Sequence, residues 1–296
     1  MDGKNIKLRL GKSYGFQWLI YVLAFACLLP LLAILFYIVK AGITKINWHF
    51  LVNIPKPVGE SGGGIANALV GSIIIILVAS IIAIPIGIMA GVYLSENRRS
   101  RLAYWCRLST DILQGVPSIV VGIVAYFWLV RPWSIPLGIF HWHITNKGGF
   151  SAVSGSFALA IMMLPIIVRS TEETLKLLPD TLKEAALALG MPFHRVIFKV
   201  IVPVGISGIL SGVMLSVARI TGETAPLLFT AFGNPYLSVN IGKPMQSLPL
   251  LIFNYATSPY TDWLNLAWGA SLILLFWVLF LNIFTKVITR KWKVQL

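Results

Sequence analysis

The stretch Ala66-Asn-Ala-Leu-Val-Gly-Ser-Ile-Ile-Ile-Ile-Leu-Val-Ala-Ser-Ile-Ile-Ala-Ile-Pro85-Ile-Gly-Ile-Met-Ala-Gly-Val-Tyr-Leu94 contains no aspartate, glutamate, lysine or arginine. As a helix rising about 1.5 Å per residue it is longer than the roughly 30 Å hydrocarbon core of a bilayer. It sits in a chain of 296 residues that is 57% hydrophobic and only 11% charged, with a mean hydropathy of +0.83. Soluble domains carry about 25% charged residues to cover their surface, so lipid is the solvent that this composition fits. Backbone groups in lipid must bond within their own segment unless a closed barrel pairs them. The period-two alternation of a barrel is missing here, which leaves helices.

Five further apolar runs flank this one: Trp18 to Val39, Ile112 to Val130, Phe150 to Val168, Val202 to Ile220 and Leu264 to Val287. The expected fold is therefore all-α, a polytopic membrane bundle of six transmembrane helices over residues 18–287. Short segments at 1–17 and 288–296 flank it. Pro30, Pro85, Pro117 and Pro165 fall inside these runs and should kink their helices. Ala24-Phe25-Ala26-Cys27 faintly resembles a cleavage site, but the apolar run continues to Val39, too far for a removable signal, and the first helix is expected to be retained.

Counting Lys and Arg loop by loop gives the orientation. Lys4, Lys7, Arg9 and Lys12 precede the first run; Arg98, Arg99, Arg101 and Arg107 separate the second and third; Arg169, Lys176, Lys183, Arg195 and Lys199 separate the fourth and fifth; Lys286, Arg290, Lys291 and Lys293 close the chain. The alternate side holds only Lys40, Lys45, Lys56, Arg131, Lys147 and Lys243, and Arg219 lies within a run. Both termini are therefore expected to face the cytoplasm. The net charge of +14 sits in short segments beside apolar runs and forms no basic domain. That excludes nucleic acid as a partner and points to anionic lipid headgroups. The outward loops near 41–65, 131–149 and 233–262, rich in Gly, Pro, Trp and Asn, read as irregular connectors with interfacial anchors.

Chemistry of its own is hard to find in the chain. Two cysteines, Cys27 and Cys106, make no disulfide framework and no metal-ligand spacing. His141 and His143 stand two apart between aromatics, and His49 and His194 are isolated. Gly11-Lys12-Ser13 ends like a phosphate-cradling loop, but Ile6 stands where the first glycine is required. With no catalytic constellation and no cofactor site, the chain is expected not to be an enzyme. Any energy must come from another polypeptide.

One loop between the fourth and fifth runs, 169–199, has amphipathic order. Thr181 and Glu184 have capping-box spacing, Leu182, Ala185, Ala186 and Leu189 share one face, and Gly190 followed by Pro192 reads as a helix stop. A short helix with small residues suits insertion into a partner's groove; periodicity equally allows a linker lying on the membrane. Glu184-Ala185-Ala186, three residues, Gly190, nine residues, then Val200-Ile201-Val202-Pro203 resembles the EAA loop of ABC importer permeases. Val200 and Val202 are conservative departures from that pattern. The resemblance implies docking onto an ATP-binding subunit, with Glu184, Ala185, Ala186 and Gly190 as coupling residues.

The remaining charges of interest end the fifth run: Arg219-Ile-Thr221-Gly222-Glu223-Thr224-Ala225-Pro226. Arg219 and Glu223 share a face if helical, and apolar residues continue to Phe232. Ionisable groups at membrane depth cost at least about 2.5 kcal/mol each on insertion scales and usually serve a pathway or partner. Gly222 and Pro226 invite a helix break whose freed backbone could line a cavity, with Gly222 and Thr224 beside the charged pair. A self-neutralising structural pair is the other reading. Arg169 and Asp111, near helix ends, are expected to snorkel or pair with neighbours.

The segment from Arg219 to Thr230 resembles the A-type permeases of bacterial phosphate-specific ABC importers. So do Gly63-Gly64-Ile65 with Val70-Gly71-Ser72, Gly115-Val-Pro117-Ser-Ile-Val-Val-Gly122, and Arg169-Ser-Thr-Glu-Glu-Thr-Leu, so that the likeness covers nearly the whole chain. The Gly-Glu-Thr-Ala-Pro form separates it from the sister C-type permease. The resemblance implies a type I ABC importer permease of MetI-like architecture, paired with a C-type permease in a heterodimer. It further implies two ATP-binding subunits that hold ATP-Mg, and a soluble phosphate-binding protein that delivers substrate. A permease for molybdate or sulfate, or an ATP-independent anion carrier, are the alternatives.

Overall fold

The computed structural model describes residues 3–60, 62–137, 142–146 and 148–291. His141, Lys147 and the tail from 292, including Lys293, lie outside the described residues. Helix α1 (Gly3–Gly42) contains the first expected crossing and runs on through Pro30. A 3-10 turn at Ile43–Lys45 leads to α2 (Trp48–Val52), which Asn47 caps by accepting the Phe50 N–H at 2.7 Å. Helix α3 (Ala66–Glu96) carries the charge-free stretch and contains Pro85. Next come α4 (Arg101–Gly115), capped by Ser100, and α5 (Ser118–Ala125), which ends in a π turn at Tyr126–Val130. Strands β1 (Trp133–Leu137) and β2 (Trp142–Asn146) pair antiparallel, with Trp133 opposite Asn146.

Helix α6 (Ala152–Lys176) returns past Pro165 to the side where α3 ended, and α7 (Asp180–Ala188) comes directly after it. Helix α8 (Phe193–Val196), a π turn at Ile197–Ile201 and α9 (Val202–Val204) lead into α10 (Ile206–Thr221). Helix α11 (Ala225–Thr230), α12 (Leu248–Ala256) and α13 (Thr261–Lys291) complete the chain.

Among the described residues four helices, α1, α3, α6 and α13, are long and apolar enough to cross a membrane unaided, and two bent pairs raise the number to six. The third and fifth expected runs are therefore corrected from single helices to broken ones. Helix α4 meets the segment Ser118–Val130 at 106°. The cause is Pro117, which drives Val116 into an extended conformation (φ −71°, ψ 129°) and then serves as the N-cap of α5. Phe193–Val204 meets α10 at 70°, with Gly205 at the joint. The outward loops are likewise more regular than expected. They hold α2, the β1–β2 hairpin and α12, the last capped by Ser247, whose hydroxyl accepts the Leu250 N–H at 3.4 Å.

The main core joins α3, α6, α10 and α11 through Ile75, Ala79, Leu159, Met163, Ile167, Val213, Ile220 and Leu227. Lipid supplies no hydrophobic drive between helices, so close backbone approach at small residues does the joining. At Gly122 a Cβ would stand 2.6 Å from the Cα of Pro226, and at Gly71 only 1.9 Å from the carbonyl oxygen of Gln246. Two motifs far apart in sequence thereby become one contact between α5 and α11. Ser72, next to Gly71, accepts the Leu248 N–H at 2.8 Å and fixes the start of α12.

Candidate coupling helix and translocation site

Helix α7 begins two residues earlier than the capping box at Thr181 and Glu184 suggests. Pro179 is its N-cap, no side chain caps it, and Asp180 supplies the negative charge that suits a helix N-terminus. It ends as expected: Gly190 has φ +77°, a left-handed conformation for which glycine carries no Cβ penalty, and its N–H donates to the Leu187 carbonyl at 2.9 Å. The expected common face divides. Ala186 is buried and Leu182 half-buried in a cluster with Val92, Leu175, Val196, Ile197, Ile201 and Ile209. Ala185 and Glu184 are exposed, and Leu189 is 84% exposed. At 100° per residue, adjacent alanines cannot both face the same neighbour. The bundle takes Ala186 and leaves Glu184, Ala185, Leu189 and Gly190 outward.

Ionic braces tie this helix to the bundle. Lys183 pairs with Glu96 at the end of α3, and its ammonium lies 5.0 Å from the centre of the Phe193 ring. Before α7, near the end of α6, Glu172 is 8% exposed and accepts from Arg107 Nε and Lys176 Nζ, both at 2.6 Å. Arg107 also donates to the carbonyls of Leu94 (2.8 Å) and Arg98 (3.0 Å). One guanidinium thus joins α3, α4 and α6. Sequence reasoning passed over this centre; the i, i+4 spacing of Glu172 and Lys176 was its one local sign. Arg169 pairs with Asp111 at 2.5 Å and Glu173 at 2.9 Å, as its position suggested.

At the other candidate site the helix does break. Helix α10 stops at Thr221, Gly222 and Glu223 carry the turn, and α11 starts after Thr224. Arg219 Nε and Glu223 Oε1 are 3.8 Å apart, with side chains 46% and 19% exposed. That separation is wider than a charge-assisted hydrogen bond of about 2.7–2.9 Å. The guanidinium therefore keeps donors free for a further acceptor. A Cβ on Gly222 would find only the Arg219 carbonyl, 3.9 Å away, so the turn opens onto free space. Thr224 is half-buried beside it. Among the described residues no group of histidines, cysteines and carboxylates could hold a metal ion.

Long apolar helices and two broken spans, with a half-exposed arginine beside the helix break at Gly222, define a polytopic integral membrane protein. Residues 83–294 match the family described as "Binding-protein-dependent transport system inner membrane component". A protein of Yersinia pestis named "Phosphate transport system permease protein PstA" is 42% identical over 281 residues, covering 95% of this chain and 86% of that one. Its namesake in Haemophilus influenzae is 43% identical over 289 residues, covering 95% and 92%. In fold the chain is similar to a crystal structure of the MetNI methionine ABC transporter in an inward-facing conformation. The TM-score is 0.58 at 17% identity, with 77% of this chain and 95% of that chain covered. The chain belongs to the binding-protein-dependent transport system inner membrane components and, within them, to the PstA permeases. It is a multi-pass inner-membrane protein with the MetI-like bundle of type I ABC importers.

Proposed function

We propose that this chain is the A-type permease subunit of an ATP-driven phosphate importer, with both termini in the cytoplasm. A C-type permease would complete the pathway as a heterodimer, two ATP-binding subunits would hold ATP-Mg, and a soluble phosphate-binding protein would deliver the anion. The observation that carries the reading is the full-length likeness, above 40% identity, to proteins named as phosphate permeases. The exposed edge of α7 supports the coupling role. Glu184, Ala185, Leu189 and Gly190 are open to a groove on an ATPase, while Leu182 and Ala186 anchor the helix.

Closure of the ATPases would push α7. The Lys183–Glu96 pair and the Glu172 centre would then move the ends of α3, α4 and α6 together, because breaking a buried pair costs more than shifting it as a unit. At the α10–α11 break Arg219 would attract phosphate, whose oxygens match the guanidinium fork. Glu223 would hold the arginine between events and prevent a static trap. Gly222 and Thr224 would shape the turn. The test is purification of the chain in mild detergent: an ATPase and a second permease should accompany it. Replacing Glu184 by Lys should remove the ATPase while the permease pair survives. Capture of the ATPase at an unchanged level would refute the docking role.

A further inference from the structure

Helix α3 ends beside α7, where Glu96 pairs with Lys183, and starts at the opposite end of the bundle, where the Ile65 N–H donates to the Phe50 carbonyl at 2.9 Å. Phe50 there lines a cavity of about 250 Å³ that lies where two membrane spans finish. Lys45 is the last residue of the span Ser13–Lys45, Asp262 stands in the first turn of the span Thr261–Val287, and both line the cavity. The loop after α2 adds Lys56 and Glu60. The walls are held by the chain itself. The Trp263 indole N–H donates to the Lys56 carbonyl at 3.3 Å, and Trp263 stacks on Tyr255 at 4.7 Å. Asn53 donates to the Gly62 carbonyl at 3.2 Å and the Gly64 N–H to the Ile54 carbonyl at 3.1 Å, which folds the loop back on itself.

Opposite charges line this cavity without closing it. Among the described residues Lys45 and Asp262 have no ion-pair partner. Lys56 and Glu60 stand 3.8 Å apart, wider than a charge-assisted hydrogen bond of about 2.7–2.9 Å. We propose that the cavity binds the headgroup of an aminophospholipid, with the phosphate diester at Lys45 and Lys56 and the primary ammonium at Glu60 and Asp262.

Depth, size and charge select this guest. A cavity at the ends of two spans lies at headgroup level. Its volume falls below the roughly 300–1,000 Å³ of sites for drug-sized ligands, which suits a small polar group. A zwitterion answers both signs of charge, whereas inorganic phosphate or an anionic glycerol headgroup would set its charge against Glu60 and Asp262. A primary ammonium offers three N–H donors to carboxylates; a quaternary one offers none and favours an aromatic cage. Acyl chains find an apolar surface beside the site, since Phe36, Tyr37, Ile43 and Trp48 are exposed at the end of α1 and just after it. The lipid would act as a clip. Helix α1 packs chiefly on α13, where Tyr37 meets Trp268 edge to face at 5.1 Å, and none of its apolar window is buried within this chain. The headgroup joins the end of α1 to the start of α13. This inference needs only the membrane fold and stands apart from the substrate carried.

Native mass spectrometry of the full-length chain, purified in its native assembly and given phosphatidylethanolamine, phosphatidylcholine or phosphatidylglycerol in detergent, tests it. Phosphatidylethanolamine should be retained at least about fivefold better than the other two, and Lys45→Gln combined with Asp262→Asn should cut that retention about tenfold. Lys45→Arg, which keeps the charge, should stay within about twofold of wild type. Lys45 and Asp262 are exposed, so their replacement disturbs no packing. A photo-crosslinker at exposed His49, another lining residue, should capture lipid. Equal retention of the three lipids, equal retention by wild type and the double variant, or displacement of the bound lipid by millimolar inorganic phosphate would overturn the site. So would a crosslink from His49 to another polypeptide in place of lipid. None of these results would touch the transport reading.

Discussion

Adjacent glutamates in the Arg169-Ser-Thr-Glu-Glu-Thr-Leu segment should differ sharply in what they hold together. Glu172 is 8% exposed and accepts from Arg107 and Lys176, while Glu173 is 63% exposed and, among the described residues, accepts from Arg169 alone, at 2.9 Å. Removing one member of a buried pair costs about 3–5 kcal/mol because a charge is left behind in the interior. Arg107 and Lys176 keep part of their surface in solvent, so in Glu172→Gln they regain some hydration and the expected loss falls to about 2–3 kcal/mol. Glu173→Gln should lose less than about 1 kcal/mol, the range for exposed pairs. The assay is limited proteolysis at the Asn97–Ser100 turn, which opens when α3, α4 and α6 part. At about 2–3 kcal/mol the open population of Glu172→Gln rises roughly 30- to 150-fold, and cleavage with it, against a fewfold rise for Glu173→Gln. Equal cleavage of the two variants would refute the buried-centre argument.

At Gly190 a Cβ meets nothing within 4 Å, so any defect within this chain is conformational. Gly190→Asn, which tolerates the left-handed region, should retain coupled uptake, whereas Gly190→Val should lose about 1–2 kcal/mol at the helix stop and uncouple ATP hydrolysis from transport. Parallel ATPase and uptake assays distinguish the two. Gly71→Ala should lower the thermal midpoint of the purified protein by an overpacking cost of at least about 1–3 kcal/mol, because the added methyl would meet the Gln246 carbonyl; Gly222→Ala, with open space around it, should not. Arg219→Gln should abolish phosphate uptake while the complex still assembles and reaches the membrane, as immunodetection and transport assays in cells would read.

The membrane bundle was legible because six apolar runs in a charge-poor chain leave helices as the only way to satisfy the backbone in lipid. The break at Pro117 was only half legible. A proline announces a disturbance, but tertiary packing decides between a mild kink and a 106° turn, and here Gly122 packs onto Pro226 in α11. The same limit applies to α7. Its period and its stop at Gly190 were readable, yet which alanine turns inward depends on Val196, Ile201 and Ile209, brought there by tertiary structure. The Arg219–Glu223 spacing forecast a shared locale, and the turn at Gly222 was forecast with it; the loose 3.8 Å separation was not. The Glu172 centre was missed: its spacing to Lys176 was the one local sign, and its other partner, Arg107, is remote in sequence.

Reconstitution tests the central claim most directly. The chain, its partner permease, the ATPase and external phosphate-binding protein are placed in liposomes, and entry of radiolabelled phosphate is measured with and without ATP on the α7 side. Accumulation should require ATP, the ATPase and the delivery protein together, and should vanish when any one is withheld. Phosphate accumulation by this chain alone, driven by an ion gradient with no ATPase present, would contradict the account.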